Sequence, residues 1–149
     1  MPNPLSRLFE SRVHGAVGLV PLVIRLVTGP ALVGFGLGKF ADHVQEVRDF
    51  QGFGVPLPEL SVYLAGAIEL VGGLLLIAGL LTRLAALVVA LNLMGALLTA
   101  GLTEGGTFHL VVGPTLMVLM LVLVWTGAGA LSVDGALARR GAQPASNTT

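Results

Sequence analysis

The chain has 149 residues, of which 54% are hydrophobic and only 11% are charged, and its mean hydropathy is +0.90. Soluble domains are about one quarter charged, and disordered chains are poor in apolar residues, so this composition excludes both classes. The formal net charge is zero and cysteine is absent. Nucleic-acid binding through a basic surface, thiolate metal sites and thiol redox chemistry are thereby excluded. A small integral membrane protein remains.

Four apolar stretches are long enough to cross a hydrocarbon core about 30 Å thick. In chain order they cover residues 15–38, 60–81, 84–102 and 108–126. These runs are continuous, which excludes the short alternating segments of a β-barrel. The sequence therefore predicts an all-α protein, an antiparallel bundle of four transmembrane helices that forms a single domain over residues 1–138.

The connection between the first two predicted spans has a pattern of its own. Apolar residues recur there at helical spacing with acidic residues between them: Phe40, Val44, Val47 and Phe50. This pattern predicts a short amphipathic helix on the outer membrane face. At the other end of the chain, residues 139–149 are polar and are expected to form a disordered tail.

The charges of the predicted loops indicate the orientation of the chain. Five basic residues fall on one side of the membrane and two on the other: Arg7, Arg12, Arg83, Arg139 and Arg140 against Lys39 and Arg48. Because cytoplasmic loops carry the excess of lysine and arginine, we expect both termini in the cytoplasm.

Two charged residues fall inside predicted spans, where each costs at least about 2.5–3.5 kcal/mol and needs a partner or a function. Counting about 1.5 Å per residue from the same membrane face gives depths of about 15 Å for Arg25 and about 18 Å for Glu69. An Arg25–Glu69 ion pair between the first two helices is therefore expected. Asn92 lies about 12 Å deep in the third span and is expected to donate a hydrogen bond to this pair.

These three residues form a predicted polar site in the membrane core. A buried ion pair can serve only to fix the register of two helices. It can also form a proton relay or a polar pocket for a small head group. The residues alone favour the structural and the functional interpretation about equally.

A second polar layer is predicted near the outer face. Lys39, His43 and His109 are candidates for an outer pocket, although each taken singly is better explained by a polar side chain that reaches the membrane interface. The histidines do not have the spacing of a metal-binding motif, so no metal site is expected.

Several short motifs follow one another in a recognisable order. They are Arg25-Leu26 with Gly29, Gly38-Lys39-Phe40, Phe50-x-x-Phe53-Gly54-Val55-Pro56, Glu69-Leu70-Val71-Gly72-Gly73-Leu74, Gly79-Leu80-Leu81-Thr82-Arg83 and Leu131-Ser132-Val133-Asp134. In this arrangement the chain resembles the DoxX family of small bacterial membrane proteins, over residues 23–134.

The resemblance implies four helices in a bacterial inner membrane and a link to quinone. The family takes its name from a subunit associated with a quinone-reducing thiosulfate oxidoreductase. Similar four-helix enzymes that act on thiols through quinone need cysteines, which this chain lacks. Many relatives carry a histidine where this chain has Phe35, so a redox or ligand role of that histidine is not expected here.

The leading hypothesis is a quinone-associated or redox-linked subunit or accessory component of a bacterial membrane oxidoreductase system. Its partners would be the lipid bilayer and a redox protein, while catalysis by the chain itself and homo-oligomer formation stay open. The alternative is a non-catalytic membrane scaffold in which the Arg25–Glu69 pair is structural. A third hypothesis is a small proton-coupled exporter, which would need Glu69 unpaired and exposed to each side in turn.

Overall fold

The computed structural model describes residues 11–13, 15–103 and 107–141, except for the side chains at positions 108, 109, 140 and 141. These residues form helices joined by short turns, which confirms the all-α prediction for this part of the chain. The α-helices are α1 (Leu19–Ala41), α2 (His43–Gly52), α3 (Pro58–Ala78), α4 (Thr82–Ala96), α5 (Gly113–Thr126) and α6 (Val133–Gly141). Helical segments of other pitch adjoin three of them: a 3-10 turn at Gly15–Gly18, and π-helical turns at Leu97–Gly101 and Phe108–Val112.

Three helical stretches are long and apolar enough to cross a membrane. They cover Gly15–Ala41, Pro58–Ala78 and Thr82–Gly101, within three residues of the first three predicted spans at each end. A shorter apolar helix, Leu110–Thr126, occupies the fourth predicted position. The chain is therefore a membrane protein with several apolar helices.

Many large apolar side chains face outward, and several small residues lie in the interior. Leu91, Leu98 and Val118 are each more than half exposed, whereas Ala86 and Val89 are fully buried. An apolar surface of this extent is unsuitable for water but suits contact with lipid tails. Small residues in the interior allow the backbones of membrane helices to approach closely.

Glycines set the register between α1 and α3. Gly29 faces Gly73, and Gly36 faces Gly66, so residues later in α1 meet residues earlier in α3. A Cβ atom at Gly36 would come within 2.8 Å of the Gly66 carbonyl oxygen and within 2.7 Å of the Leu70 backbone nitrogen. Both obstacles are backbone, which cannot yield easily. The two helices are therefore held in one register by direct backbone contact.

Two predictions about the connecting segments have different outcomes. The predicted helix between the first two spans is confirmed as α2. The predicted disordered tail is wrong for residues 139–141, because α6 continues to Gly141. The remaining part of that predicted tail, residues 142–149, lies outside the described residues.

Candidate functional site

Arg25 is buried at the end of the bundle where α3 ends, and its guanidinium bonds to backbone carbonyls. Its Nε donates to the Leu76 carbonyl oxygen at 2.8 Å, and its Nη2 donates to that of Ile77 at 3.3 Å. On its other side, Nη1 donates to the Ala128 carbonyl and Nη2 to the Leu131 carbonyl at 3.3 Å. The last carbonyls of a helix lack intrahelical partners and carry negative partial charge, so a buried cation is favourable there. Arg25 thus joins α1 to the end of α3 and to the segment after α5.

Asp134 completes this end of the bundle from the N-terminus of α6. Its Oδ1 accepts a hydrogen bond from the Leu81 N–H at 2.8 Å, and its Oδ2 accepts one from the Thr82 N–H at 2.9 Å. Its own backbone N–H donates to the Gly79 carbonyl at 2.9 Å. A carboxylate at the N-terminus of α4 satisfies amides that would otherwise have no partner. Arg25 and Asp134 therefore hold separate segments of the bundle together, which is a structural role.

The predicted Arg25–Glu69 ion pair is wrong. Arg25 lies against the Leu76 carbonyl, which is about 10 Å further along α3 than Glu69. The depth argument counted from assumed span ends, whereas the close contact of Gly29 with Gly73 decides which residues of the two helices are level. Arg25 consequently meets the end of α3, and Glu69 meets the end of α1.

Glu69 forms an ion pair with Lys39. Lys39 Nζ lies 3.1 Å from Glu69 Oε2, and the side chains of Lys39 and Glu69 are only 16% and 8% exposed. Asn92 Nδ2, on α4, donates to Glu69 Oε1 at 3.3 Å. The prediction that Asn92 bonds to the buried ion pair is therefore confirmed for Glu69, with Lys39 in the place predicted for Arg25. Lys39, which was predicted near the outer face, thus belongs to the same polar group as Glu69 and Asn92, which were predicted in the core.

This polar group opens on a cavity of about 620 Å³ between the helices. Lys39, Glu69 and Asn92 all line the cavity. The rest of the wall is largely apolar and includes three phenylalanines, Phe35, Phe50 and Phe53. A concave, mostly apolar space with a few convergent polar groups is the usual form of a small-molecule site.

The short helix α2 contributes a polar edge to this cavity. Glu46 and Asp49 are half-buried and line the cavity together with Phe50. On the opposite side of α2, Val44 is 66% exposed and Arg48 is also exposed. Glu46 and Asp49, two of the acidic residues that lie between the apolar positions of the predicted helix, therefore belong to the cavity wall.

The π-helical turn at Leu97–Gly101 also contributes to the cavity wall. Leu97, Thr99 and Ala100 of this turn line the cavity. A π-helical turn changes the direction of the side chains that follow it, and such turns are frequent at functional sites. This departure from regular helix was not visible in the apolar pattern of the sequence.

The three residues predicted for an outer pocket lie in different surroundings. Lys39 lines the cavity, but His43 is not among its lining residues and stacks on Tyr63, with ring centroids 4.2 Å apart. The side chain of His109 lies outside the described residues. In the part of the chain that is described, no group of three or more acidic or histidine side chains is arranged to hold a metal ion.

Sequence reasoning missed Glu46, Asp49 and Asp134 as residues of consequence. The first two are three residues apart and share a helix face with Phe50 and Phe53, so their spacing contained a usable signal. Asp134 was visible only as the end of a short motif. Nothing in its neighbourhood indicates that it caps a helix that begins some fifty residues earlier.

Comparisons with known proteins agree with these observations. The DoxX family model matches residues 20–102. The protein named "Putative oxidoreductase CatD" from Bacillus subtilis (strain 168) is 33% identical over 113 residues, which cover 76% of this chain and 83% of that protein. A membrane protein of Mycobacterium tuberculosis (strain ATCC 25618 / H37Rv), named as uncharacterized, is 32% identical over 134 residues, covering 80% of this chain and 82% of that protein. No solved structure matches significantly.

The family match covers more than half of the chain. It includes the polar residues Arg25, Lys39, Glu69 and Asn92. Both relatives match over most of their own lengths. The chain therefore belongs to the DoxX family.

Proposed function

We propose that this membrane protein binds a quinone in the cavity at Lys39 and Glu69, as a redox-linked subunit or accessory component of a bacterial membrane oxidoreductase system. The observation that carries the proposal is the buried Lys39–Glu69–Asn92 group on the wall of a 620 Å³ cavity. Cavities of about 300–1,000 Å³ hold ring-sized ligands. The printed name of the Bacillus subtilis relative, which describes an oxidoreductase, supports the redox link.

The residues around the cavity fit a ring of this kind. Phe35, Phe50 and Phe53 offer aromatic surface against which a flat ring can stack. Lys39 and Asn92 carry N–H groups that can donate to a ring oxygen. Phe35 stands where the resemblance implies histidine in many relatives, so this chain would hold the ring by packing at that position.

A bound quinone supplies two-electron and two-proton chemistry. The chain has no cysteine thiol to carry electrons, so a redox protein partner would exchange them. Of the three carboxylates that line the cavity in the described part of the chain, only Glu69 is buried. Held by Lys39 and Asn92, Glu69 is the residue that would hold or pass a proton at its carboxylate oxygens.

The binding proposal is tested by filling the cavity without changing its charges. Ala96 lines the cavity, whereas Leu98, two residues later, is 59% exposed and does not. Purified protein is expected to bind duroquinone or its reduced form, durohydroquinone, saturably in isothermal titration calorimetry. Ala96→Trp should weaken this binding at least tenfold, since the added ring occupies the ligand volume, and Leu98→Trp should change it less than twofold.

Two results would contradict the binding proposal. One is the absence of saturable binding for both oxidation states of the probe. The other is an equal effect of the two tryptophan substitutions, which would show that the ligand contacts the lipid-facing surface and not the cavity.

A non-catalytic scaffold role is the second candidate, and Arg25 is the observation that favours it. Hydrogen bonds to backbone carbonyls stabilise the buried positive charge of Arg25 without any ligand. An exporter fits less well. Glu69 is paired with Lys39, and the other end of the bundle is held together by Arg25 and Asp134.

We also propose that the chain is an antiparallel four-span bundle in a bacterial inner membrane with both termini in the cytoplasm. The apolar helix Leu110–Thr126 has 17 residues, enough to cross a bilayer at the lower limit of length. The excess of basic residues near the termini supports the orientation.

The absence of natural cysteines allows a direct test of this topology. Gln51→Cys on α2 and Thr149→Cys at the last residue are expected on opposite sides of the membrane. A membrane-impermeant maleimide should label Gln51→Cys in spheroplasts and Thr149→Cys only after permeabilisation. Labelling of both in intact spheroplasts would mean that Leu110–Thr126 does not cross the membrane.

A further inference from the structure

The described wall of the cavity offers more hydrogen-bond acceptors than free donors. This difference distinguishes the two redox forms of a ring ligand. We infer that the cavity prefers an aromatic ring with hydroxyl donors, the quinol form, over the corresponding quinone. The inference rests on the proposed function and adds which form of the ligand the site takes.

The nitrogen donors of the cavity are turned toward Glu69. Among the described residues that line the cavity, only Lys39 and Asn92 carry side-chain N–H donors. Lys39 Nζ lies 3.1 Å from Glu69 Oε2, and Asn92 Nδ2 donates to Glu69 Oε1 at 3.3 Å. Each keeps further N–H groups, two on Lys39 and one on Asn92, but all of them lie at the one place on the wall where Glu69 is held.

The two hydroxyl groups described on the cavity wall donate to the backbone as well. Ser61 Oγ donates to the Pro56 carbonyl at 2.8 Å, and Thr99 Oγ1 donates to the Gly95 carbonyl at 2.9 Å. A hydroxyl has one proton and two acceptor lone pairs. Both side chains therefore face a ligand as acceptors.

Acceptors are added by α2, whose arginine faces away from the cavity. Glu46 and Asp49 line the cavity, while Arg48, the basic residue between them, is exposed on the other side of the helix. Asp49 accepts one hydrogen bond from Gln45, at 2.8 Å. A carboxylate has about four lone-pair sites, so acceptor capacity remains on both residues.

The two redox forms of a ring meet this wall differently. A quinone has only acceptor oxygens, so one of them can accept from the remaining N–H groups of Lys39 and Asn92 while the other faces acceptors elsewhere on the described wall. A quinol presents two O–H donors, which Glu46, Asp49 and the two hydroxyl oxygens can accept while the Lys39–Glu69 pair stays intact. A site with buried hydrogen-bonding groups discriminates strongly against the analogue that leaves them unpaired.

The test compares three rings of nearly equal shape by anaerobic titration calorimetry of the purified full-length protein. Durohydroquinone has two O–H donors, duroquinone has none, and the dimethyl ether of durohydroquinone keeps the ring but cannot donate. We expect durohydroquinone to bind at least tenfold more tightly than either of the others. The double substitution Glu46→Gln with Asp49→Asn should reduce this preference at least threefold, because each amide replaces acceptors by donors.

Arg48→Gln is the matched control, since it removes a charge from the same helix on the face away from the cavity. It should leave the preference unchanged. Binding of duroquinone or of the ether as tightly as durohydroquinone overturns the inference and leaves the proposed function standing. A preference that survives the double substitution also overturns it. Absence of binding for all three rings overturns the inference together with the proposed function.

Discussion

Replacement of Arg25 by alanine is expected to lower the free energy of unfolding by about 3–5 kcal/mol, the range for loss of one partner from a buried charged network. The guanidinium is only 1% exposed and donates to carbonyls of two separate segments. Its removal takes a donor away from several buried carbonyls, and a buried acceptor left without any donor costs about 1–3 kcal/mol. Titration with sodium dodecyl sulfate in mixed micelles, followed by circular dichroism, measures the loss.

Two further variants separate the geometry of Arg25 from its charge. Arg25→Lys keeps the charge but not the planar fork that reaches the Leu76 and Ala128 carbonyls together, so it should recover less than half of the loss. Arg48→Ala removes an exposed arginine and should cost no more than about 0.5 kcal/mol. Full stability of Arg25→Lys would show that charge alone matters at this position.

The Lys39–Glu69 ion pair is expected to give a coupling energy of about 1–3 kcal/mol in a double-mutant cycle of Lys39→Met and Glu69→Gln. Lys39→Met should be the more costly single substitution. It leaves a carboxylate buried about 16 Å along α3 from Pro58, whereas a lysine near the end of α1 can extend toward the interface when its partner is removed. The same detergent titration measures all four variants.

The cycle that pairs Glu69→Gln with Arg25→Met is the control. Because Arg25 and Glu69 belong to different hydrogen-bonding groups, their effects should add to within about 0.5 kcal/mol. A coupling between Arg25 and Glu69 as large as that between Lys39 and Glu69 would contradict the register that the structure shows.

The two polar groups lie at opposite ends of the bundle and have different roles. Arg25 and Asp134 bond to backbone at one end and do not line the 620 Å³ cavity. Lys39, Glu69 and Asn92 bond to one another at the other end and line a cavity. A stability assay should therefore respond to both groups, while ligand binding should respond to the second alone.

Element positions were predictable from the sequence because long apolar runs report directly on the length of helix that a bilayer demands. The three long helical stretches begin and end within three residues of their predicted bounds. The helix α2 was predictable from its spacing. Its orientation was not, since Glu46 and Asp49 face a cavity that exists only once α1, α3 and α4 have assembled around it.

The polar residues of the long helices were predictable as members of a site, but the pairs that they form were not. Glu69 and Asn92 were correctly joined, because both lie near the middle of long apolar runs where a polar group must find a partner. Lys39 was assigned to a separate outer layer, and Arg25 was assigned to the wrong carboxylate. One turn of helix moves a side chain by about 5.4 Å, so an error of two turns in relative depth exchanges one partner for another.

Composition and pattern alone determined that this chain crosses a membrane in apolar helices, that it cannot use thiol chemistry and that its few interior charges must be paired. The pairing itself was decided only by the tertiary structure. Contact of the glycines of α1 with those of α3 sets the relative height of the two helices. That height places Arg25 among carbonyls and Lys39 beside Glu69. The register of two helices depends on how they pack against each other, and the apolar periodicity of each helix alone does not predict this packing.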